Sequence, residues 1–308
     1  MRVVRHPAPG LPDAAIAIGS LDGVHLGHAA LIARVRERAQ QRGLASAVLT
    51  FEPLPREFFS PASAPGRITS LRERLEAIAA LGVDTAFVQR FDAPFAALAP
   101  EAFAERLRER HGCRHIVIGE DFRYGARRMG DAASLAASGK RLGFEVEVLA
   151  AVRSGADRVS STAVREALAR GDFDTAARLL GRRYAITGHV VHGAERGRTL
   201  GFPTANVRLA RPRPALQGIF AVKCLGAATR GLEGVASLGI NPAVVSRGPA
   251  TLEAFLFDFS GDLYGRRLTI EFVKKLRDEA HFASLDELAA QIRRDCEMAR
   301  EALRVTGS

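Results

Sequence analysis

"AAIAIGSLDGVHLGHAALIARVRERAQQRG", Ala14 to Gly43, changes texture twice along its length. Ala14 to Gly19 is continuously apolar and too short for a helix, the pattern of a strand buried on both faces of a parallel sheet. Beyond His28, Leu31, Val35 and Ala39 recur at i, i+4 and i+8 among arginines, and Gly43 stands where a helix C-cap belongs. A strand therefore feeds a helix through a loop that carries Gly23, His25, Gly27 and His28.

The unit repeats. "ASAVLTFEP" reads as a second strand stopped by Pro53, "SLRERLEAIAALG" as a helix leading to the strand "DTAFVQRF", and "PEAFAERLRERHG" as a helix leading to "CRHIVIGE". "FEVEVLAAV" adds one more strand, and "SSTAVREALARGDFDTAARLLG" predicts two short helices broken at Gly171, with Ser161 or Thr162 as cap. Alternating strands and helices with short connections predict a doubly wound α/β layer with a parallel sheet. After Arg183 strand-like segments follow one another: "YAITGHVVHG", "GIFAVKCLG", "LEGVASLGI", "TLEAFLFDF" and "RLTIEFVKKLR", with no helical pattern until "SLDELAAQIRRDCEMAREAL". That predicts a small antiparallel β-barrel or sandwich closed by a C-terminal helix. The expected domains are residues 1–182 and 183–308.

Composition narrows the class. The 308 residues are 47% hydrophobic, ordinary for packed cores, and no apolar run approaches the roughly 20 residues of a membrane span. With no signal-peptide core at the N-terminus, a cytoplasmic location is expected. Cys113, Cys224 and Cys296 are odd in number and far apart, which argues against a disulfide framework or a zinc site. A formal charge of +10 suits a protein that meets polyanions, although only four of its 44 basic residues are lysines and an arginine-favouring codon bias explains the excess as well.

Ligands of open α/β sheets bind at the carboxyl ends of strands, and His25 and His28 leave the first such end on a loop that opens a helix. A helix N-terminus offers N–H groups and partial positive charge, glycines allow close approach, and imidazoles donate to phosphate oxygens. A pair of capping or core histidines is the alternative. The spacing resembles the H-x-G-H signature of the nucleotidyltransferase superfamily. "TFEPLPREFF", "RITSLRERLE", "GEDFRYGARRMGD" and "VSSTAVREAL" then follow in the order of the FMN adenylyltransferase module of bacterial bifunctional FAD synthetases, with a mild departure at Leu21, where an aromatic residue is usual. The resemblance implies an ATP site of Gly19, Asp22, Gly23, His25, Gly27 and His28, with Ser161, Thr162 and Arg165 as a second group of phosphate donors. It implies flavin contacts at Pro53, Pro55 and Asp121. Without it, "SSTAVR" is an ordinary helix cap and Asp121 the ion-pair partner of Arg123 or Arg127. His111 and His115 straddle a predicted helix end and read as structural.

In the β-rich half, "HGAERGRTLGFPTANV" places Gly193, Gly197 and Gly201 where a tight loop can cradle phosphate, or simply form a glycine-rich hairpin. "GFPTAN" is similar to the flavokinase signature, which implies that Thr204 and Asn206 hold Mg²⁺ and the phosphates of ATP. A Walker A loop is excluded because Gly139 and Lys140 lack its other residues. In the motif "LEAFLFDFSGDLYG" the resemblance makes Glu253 the base for the attacking hydroxyl, whereas strand alternation alone makes it an exposed-face residue. "GVASLGINPAVV" departs from the family pattern at Ser237 and Ala243, where Asn and Thr are usual.

The resulting expectation is an H-x-G-H nucleotidyltransferase domain followed by a flavokinase barrel, both using Mg²⁺ and ATP, converting riboflavin to FMN and FMN to FAD. No nucleic acid, membrane or obligate protein partner is expected. The alternatives are an FMN adenylyltransferase with a weakened or inactive kinase half, an RNA-binding protein on the same fold, and a flavin-storage module.

Overall fold

The computed structural model of the chain describes residues 1–155, 157–193, 201–211, 213–226, 231–240 and 250–305. They form two compact units, Met1–Pro65 with Leu71–Ser160, and Gly66–Ser70 with Ser161–Ser308. Among the described residues no helix is long and apolar enough to cross a membrane.

In the first unit β1 (Arg2–Val4), β2 (Ala14–Ile18), α1 (Leu26–Arg42), β3 (Ala45–Glu52), α2 (Pro55–Phe59), α3 (Leu71–Ala80) and β4 (Thr85–Arg90) run in order. Next come α4 (Ala93–Ala96), α5 (Pro100–His111), β5 (Cys113–Gly119), α6 (Ala132–Leu142), β6 (Glu145–Leu149) and the short pair β7 (Arg153–Ser154) and β8 (Asp157–Arg158). The sheet is parallel throughout, in the order β1-β4-β3-β2-β5-β6. From β2 the chain moves outward to β3 and β4, then returns to add β5 and β6 on the other side, so the strand order reverses between β2 and β5. Such a switch point leaves a crevice at the strands' carboxyl ends.

Alternation along β2 explains its burial on both faces. Ile16 and Ile18 pack with Phe103 and Leu107 of α5 and Leu135 of α6, while Ala15 and Ala17 pack with Ile32 and Val35 of α1 and Ile78 of α3. Each large side chain buried this way contributes about 1.5–3 kcal/mol. The sequence pattern did not point to α6, whose Ser134, Ser138 and Gly139 lower helix propensity. Gly139 is there because a Cβ would press 2.5 Å from the Phe144 carbonyl oxygen, where the chain turns into β6.

The second unit begins with α7 (Ser161–Arg170) and α8 (Phe173–Leu180). Helix α7 starts at Ser161, so Ser160 holds the cap position and the expected cap residues Ser161 and Thr162 lie in the first turn. The strands β9 (Ala185–Val191), β10 (Thr204–Arg208), β11 (Gly218–Leu225), β12 (Leu232–Ile240), β13 (Ala250–Leu256) and β14 (Arg267–Arg277) close an antiparallel barrel in the order β10-β13-β12-β11-β14-β9. Strand β10, the "TANVR" segment, is the barrel strand that hydrophobic patterning left unannounced: it alternates polar and apolar residues, but over five residues only, with the small Ala205 and Val207 as its apolar side chains. Helix α9 (Leu285–Val305) covers one outer face, where Ala299, Ala302 and Leu303 pack on Ile219, Val235 and Phe257. A bidentate pair from Arg277 to the buried Asp295, 2.8 and 2.7 Å, fixes that helix to β14.

The expected boundary at residues 182 and 183 falls between α8 and β9, and the division into compact units falls earlier, at Ser160 and Ser161. The physical reason is packing: Phe173 of α8 stacks with Phe272 of β14 at 5.9 Å and meets Phe220 of β11 edge-on. Gly66–Ser70 joins this unit as well, with the Ile68 carbonyl accepting from Tyr184 Oη at 3.1 Å and Arg211 Nη1 at 2.6 Å.

Candidate functional site

The loop between β2 and α1 sits at the switch point. Gly19 N donates to the Leu49 carbonyl at 3.1 Å, and the Ser20 carbonyl accepts from Thr50 Oγ1 at 3.0 Å and Arg74 Nη1 at 2.7 Å. Arg74 also donates to the Phe51 carbonyl and, at 2.8 Å, to Glu52. It is 1% exposed, the largest fully buried side chain among the described residues, and it ties the loop to the end of β3. "RITSLRERLE" contains Arg74, but nothing in the local pattern of α3 separates it from the exposed Arg72.

Leu21, Gly23 and Val24 then take positive φ, at 51°, 86° and 43°. For Leu21 and the β-branched Val24 this costs of order 1–3 kcal/mol each, and both side chains are buried, which holds them in place. The strained turn aims the following residues. His25 is the N-cap of α1: its Nδ1 accepts from the backbone N of His28 at 3.3 Å. An accepting Nδ1 puts the proton of a neutral ring on Nε2, so the cap selects the tautomer in which Nε2 donates. His25 does cap the helix, as the alternative reading has it, and the cap uses Nδ1, leaving Nε2 as the ring nitrogen able to donate elsewhere. The His25 and His28 rings stack at 3.6 Å between centroids. At Gly27 a Cβ would stand 3.1 Å from the His25 ring and 3.7 Å from the Val159 carbonyl oxygen, so this turn, the imidazole and the segment ahead of Ser161 lie together. Asp22, 1% exposed, completes the buried part of the loop.

Asp121 follows β5 across the switch point. It is exposed, and its carboxylate pairs with Arg158 rather than with Arg123 or Arg127; Arg158 also reaches Glu120 at 3.0 Å. Pro53 is exposed just past β3, and Pro55 opens α2. Ser161, Thr162 and Arg165 belong to the second unit, where Arg165 Nε donates to the Gly66 carbonyl at 2.7 Å.

His111 and His115 are structural. His111 is buried, bonds through Nδ1 to the Arg106 carbonyl at 3.1 Å, and burial lowers its pKa to about 4. His115 faces Glu147, whose carboxyl is pulled down to about 2, chiefly by Arg38, with Arg34 and His115 adding to it.

In the barrel, strand register assembles the other constellation. Thr204 lies opposite Phe255, Asn206 opposite Glu253, and Glu253 opposite Ser237. Directly opposite residues share a face, with Cβ atoms roughly 4.5–5.5 Å apart. One row therefore runs Asn206–Glu253–Ser237 across β10, β13 and β12, with Thr204 two residues along on the same side. Leu252 and Ala254 point the other way and are fully buried; Glu253 is half-buried on the face of Phe255, which packs against the cluster beneath α9. Gly193 lies against this row, since a Cβ there would overlap the Asn206 side chain. Gly201 holds φ 82°, and Gly197 and Ala243 lie outside the described residues.

The row offers a hydroxyl, an amide oxygen and a carboxylate, the hard oxygen donors that Mg²⁺ prefers. Among the described residues no group of three or more His, Cys, Asp or Glu side chains forms a self-sufficient metal cage. This donor set fits an ion completed by substrate phosphates, the usual arrangement for Mg²⁺.

Comparison with known proteins agrees with this division. Residues 9–163 match the family model for FAD synthetase, and residues 180–303 match the model for riboflavin kinase. The chain is 45% identical over 292 residues to a bifunctional riboflavin kinase/FMN adenylyltransferase of Escherichia coli (strain K12), covering 94% of this chain and 93% of that protein. It is 45% identical over 284 residues to the protein of the same name in Pseudomonas fluorescens, covering 92% and 91%. A crystal structure described as a macrolide-efflux protein from Streptococcus pneumoniae superposes with a TM-score of 0.78 at 28% identity, over 97% of this chain and 99% of that one.

Proposed function

The chain belongs to the bifunctional riboflavin kinase/FMN adenylyltransferase family, and from that membership we infer how its residues divide two consecutive steps of flavin cofactor synthesis. It is an enzyme of both kinds: it phosphorylates riboflavin to FMN and adenylylates FMN to FAD, with ATP as co-substrate in each step. The observation that carries the residue assignment is the separation of the two constellations. His25 and His28 stand on the switch-point loop of one unit, and Thr204, Asn206 and Glu253 on one barrel face of the other.

In the first unit, the FMN phosphate oxygen forms a bond to the α-phosphorus of ATP while the bond to the β-phosphate oxygen breaks and pyrophosphate leaves. Negative charge grows on the departing oxygens. His25 Nε2, the His28 ring and the N-terminus of α1 meet that charge; donors fixed in advance have no reorganisation to undergo as it develops. Gly19, Asp22, Gly23 and Gly27 shape the loop, and Pro53, Pro55 and Asp121 face the flavin; the family resemblance assigns Ser161, Thr162 and Arg165, at the start of the second unit, as further phosphate donors.

In the barrel, Glu253 accepts the proton of the riboflavin 5′-hydroxyl as its oxygen attacks the γ-phosphorus, and ADP leaves. Thr204 and Asn206 would hold Mg²⁺ with the phosphates of ATP, and the ion would supply charge neutralisation on the transferred group. Gly193, Gly197 and Gly201 keep the phosphate loop open to close approach. Ser237, directly opposite Glu253, places the departure from the family pattern beside the proposed base, which keeps a weakened kinase half as a second reading. The cytoplasm is the proposed location, and no nucleic acid, membrane or obligate protein partner enters this scheme.

Incubation with riboflavin and Mg-ATP, followed by chromatography, tests the scheme. FMN and FAD both accumulate on the bifunctional reading. FAD formed from supplied FMN but little or none from riboflavin would establish the weakened or inactive kinase half instead.

A further inference from the structure

At the outer edge of the parallel sheet, Arg5 follows β1, Arg90 ends β4, and Arg106 and Arg110 belong to α5. These four arginines and a single carboxylate, Asp92, line a cavity of about 530 Å³ with an apolar wall that includes Phe95 and Leu98. Arg90 approaches Asp92 at 3.6 Å. Arg5, Arg106 and Arg110 have no ion-pair partner among the described residues. Arg106 is half-buried, makes one side-chain hydrogen bond, Nη2 to Gln89 Oε1 at 3.3 Å, lies 5.9 Å from the centroid of Phe95, and its buried Nε–H has no acceptor among the described residues. Cations gathered around one cavity repel each other, and partly buried charge without a counter-charge is costly. An anion in the cavity relieves both.

We propose that this cavity binds a compact polyanion carrying two or more phosphate groups, at a site separate from the histidine loop. Guanidinium groups present paired N–H donors that match phosphate oxygens, so several arginines around one cavity suit a diphosphate. The volume lies within the roughly 300–1,000 Å³ of small-molecule pockets. The separation follows from topology: β4 and β3 stand between β1 and β2, and α5 packs on the sheet face opposite α1. The site goes beyond the two reactions, since the scheme proposed above gives these arginines no part in either.

Calorimetric titration of the full chain with inorganic pyrophosphate, and separately with ADP, both without Mg²⁺, tests the proposal. Arg110 is exposed, so Arg110→Glu leaves the core intact, and Arg106→Gln provides a second variant. Arg110→Glu is expected to weaken binding at least tenfold, while His28→Ala changes it less than twofold. If the Arg110-dependent component favours ADP, the nucleoside occupies the Phe95–Leu98 wall; if both probes bind equally, the diphosphate alone is recognised. No Arg110-dependent binding of either probe, or loss of that component in His28→Ala, overturns the proposal.

Discussion

The parallel sheet and the barrel build their proposed phosphate sites by opposite constructions. The sheet holds its histidines beyond a strand end, on a strained turn whose backbone directs them and whose helix adds a dipole. The barrel holds its groups within strands, where register alone sets their spacing. A loop site depends on local conformation, so the residues that support it are a glycine, a buried leucine and the arginine beneath. A strand site depends on pairing between distant segments, and it fails when a neighbour intrudes on the row.

Variants that break one construction and spare the other sharpen this contrast. The largest effect is expected at Glu253→Gln, which keeps shape and removes the base: FMN formation falls about 10²–10⁴-fold while FAD formation from supplied FMN is unchanged, in separate assays of each step. Next, His28→Ala lowers FAD formation about 10²–10³-fold and spares FMN formation, the loss typical of removing one donor to developing charge. Gly193→Ala pushes the Asn206 side chain out of its row, and a kinase loss of roughly tenfold, about 1.4 kcal/mol, with unchanged adenylylation is expected in the same assays.

The smallest effect concerns stability. The unfolded His111 titrates near its ordinary 6.5 and the folded one at about 4, so the unfolded state binds more protons between those values. Stability is then lost as pH falls from 6.5 toward 4, by roughly 3 kcal/mol in full. Glu147 adds its own loss only below its ordinary 4.5, as pH falls toward about 2. Denaturant unfolding at pH 7.5 and 5.0 checks this: His111→Leu shows a smaller drop between the two than the parent chain.

How far the sequence could be read follows from the same contrast. The strand, loop and helix from Ala14 to Gly43 are contiguous, so periodicity and glycine placement located β2, α1 and the histidine loop directly. Strand β10 alternates polar and apolar residues over only five positions, too short a pattern to stand out, and its pairing with β9 and β13 joins segments distant in sequence. Arg74 was hidden for a related reason. Its partners Ser20, Phe51 and Glu52 are far away in sequence, and its surroundings read as an ordinary amphipathic helix. The same holds for Asp121, whose partner Arg158 is brought to it by the path of the chain beyond β6. The positive φ of Leu21 and Val24 contradicts their residue types and is held by tertiary packing, so only the folded structure discloses it.

The central claim is that two independent centres share the chain, and mixing two crippled variants tests it most directly. Neither His28→Ala nor Glu253→Gln alone converts riboflavin to FAD at an appreciable rate. An equimolar mixture supplied with riboflavin and Mg-ATP forms FAD, because FMN released from the intact barrel of one molecule reaches the intact histidine loop of another. A mixture that makes FMN but no more FAD than His28→Ala alone, although Glu253→Gln converts supplied FMN, would contradict that account.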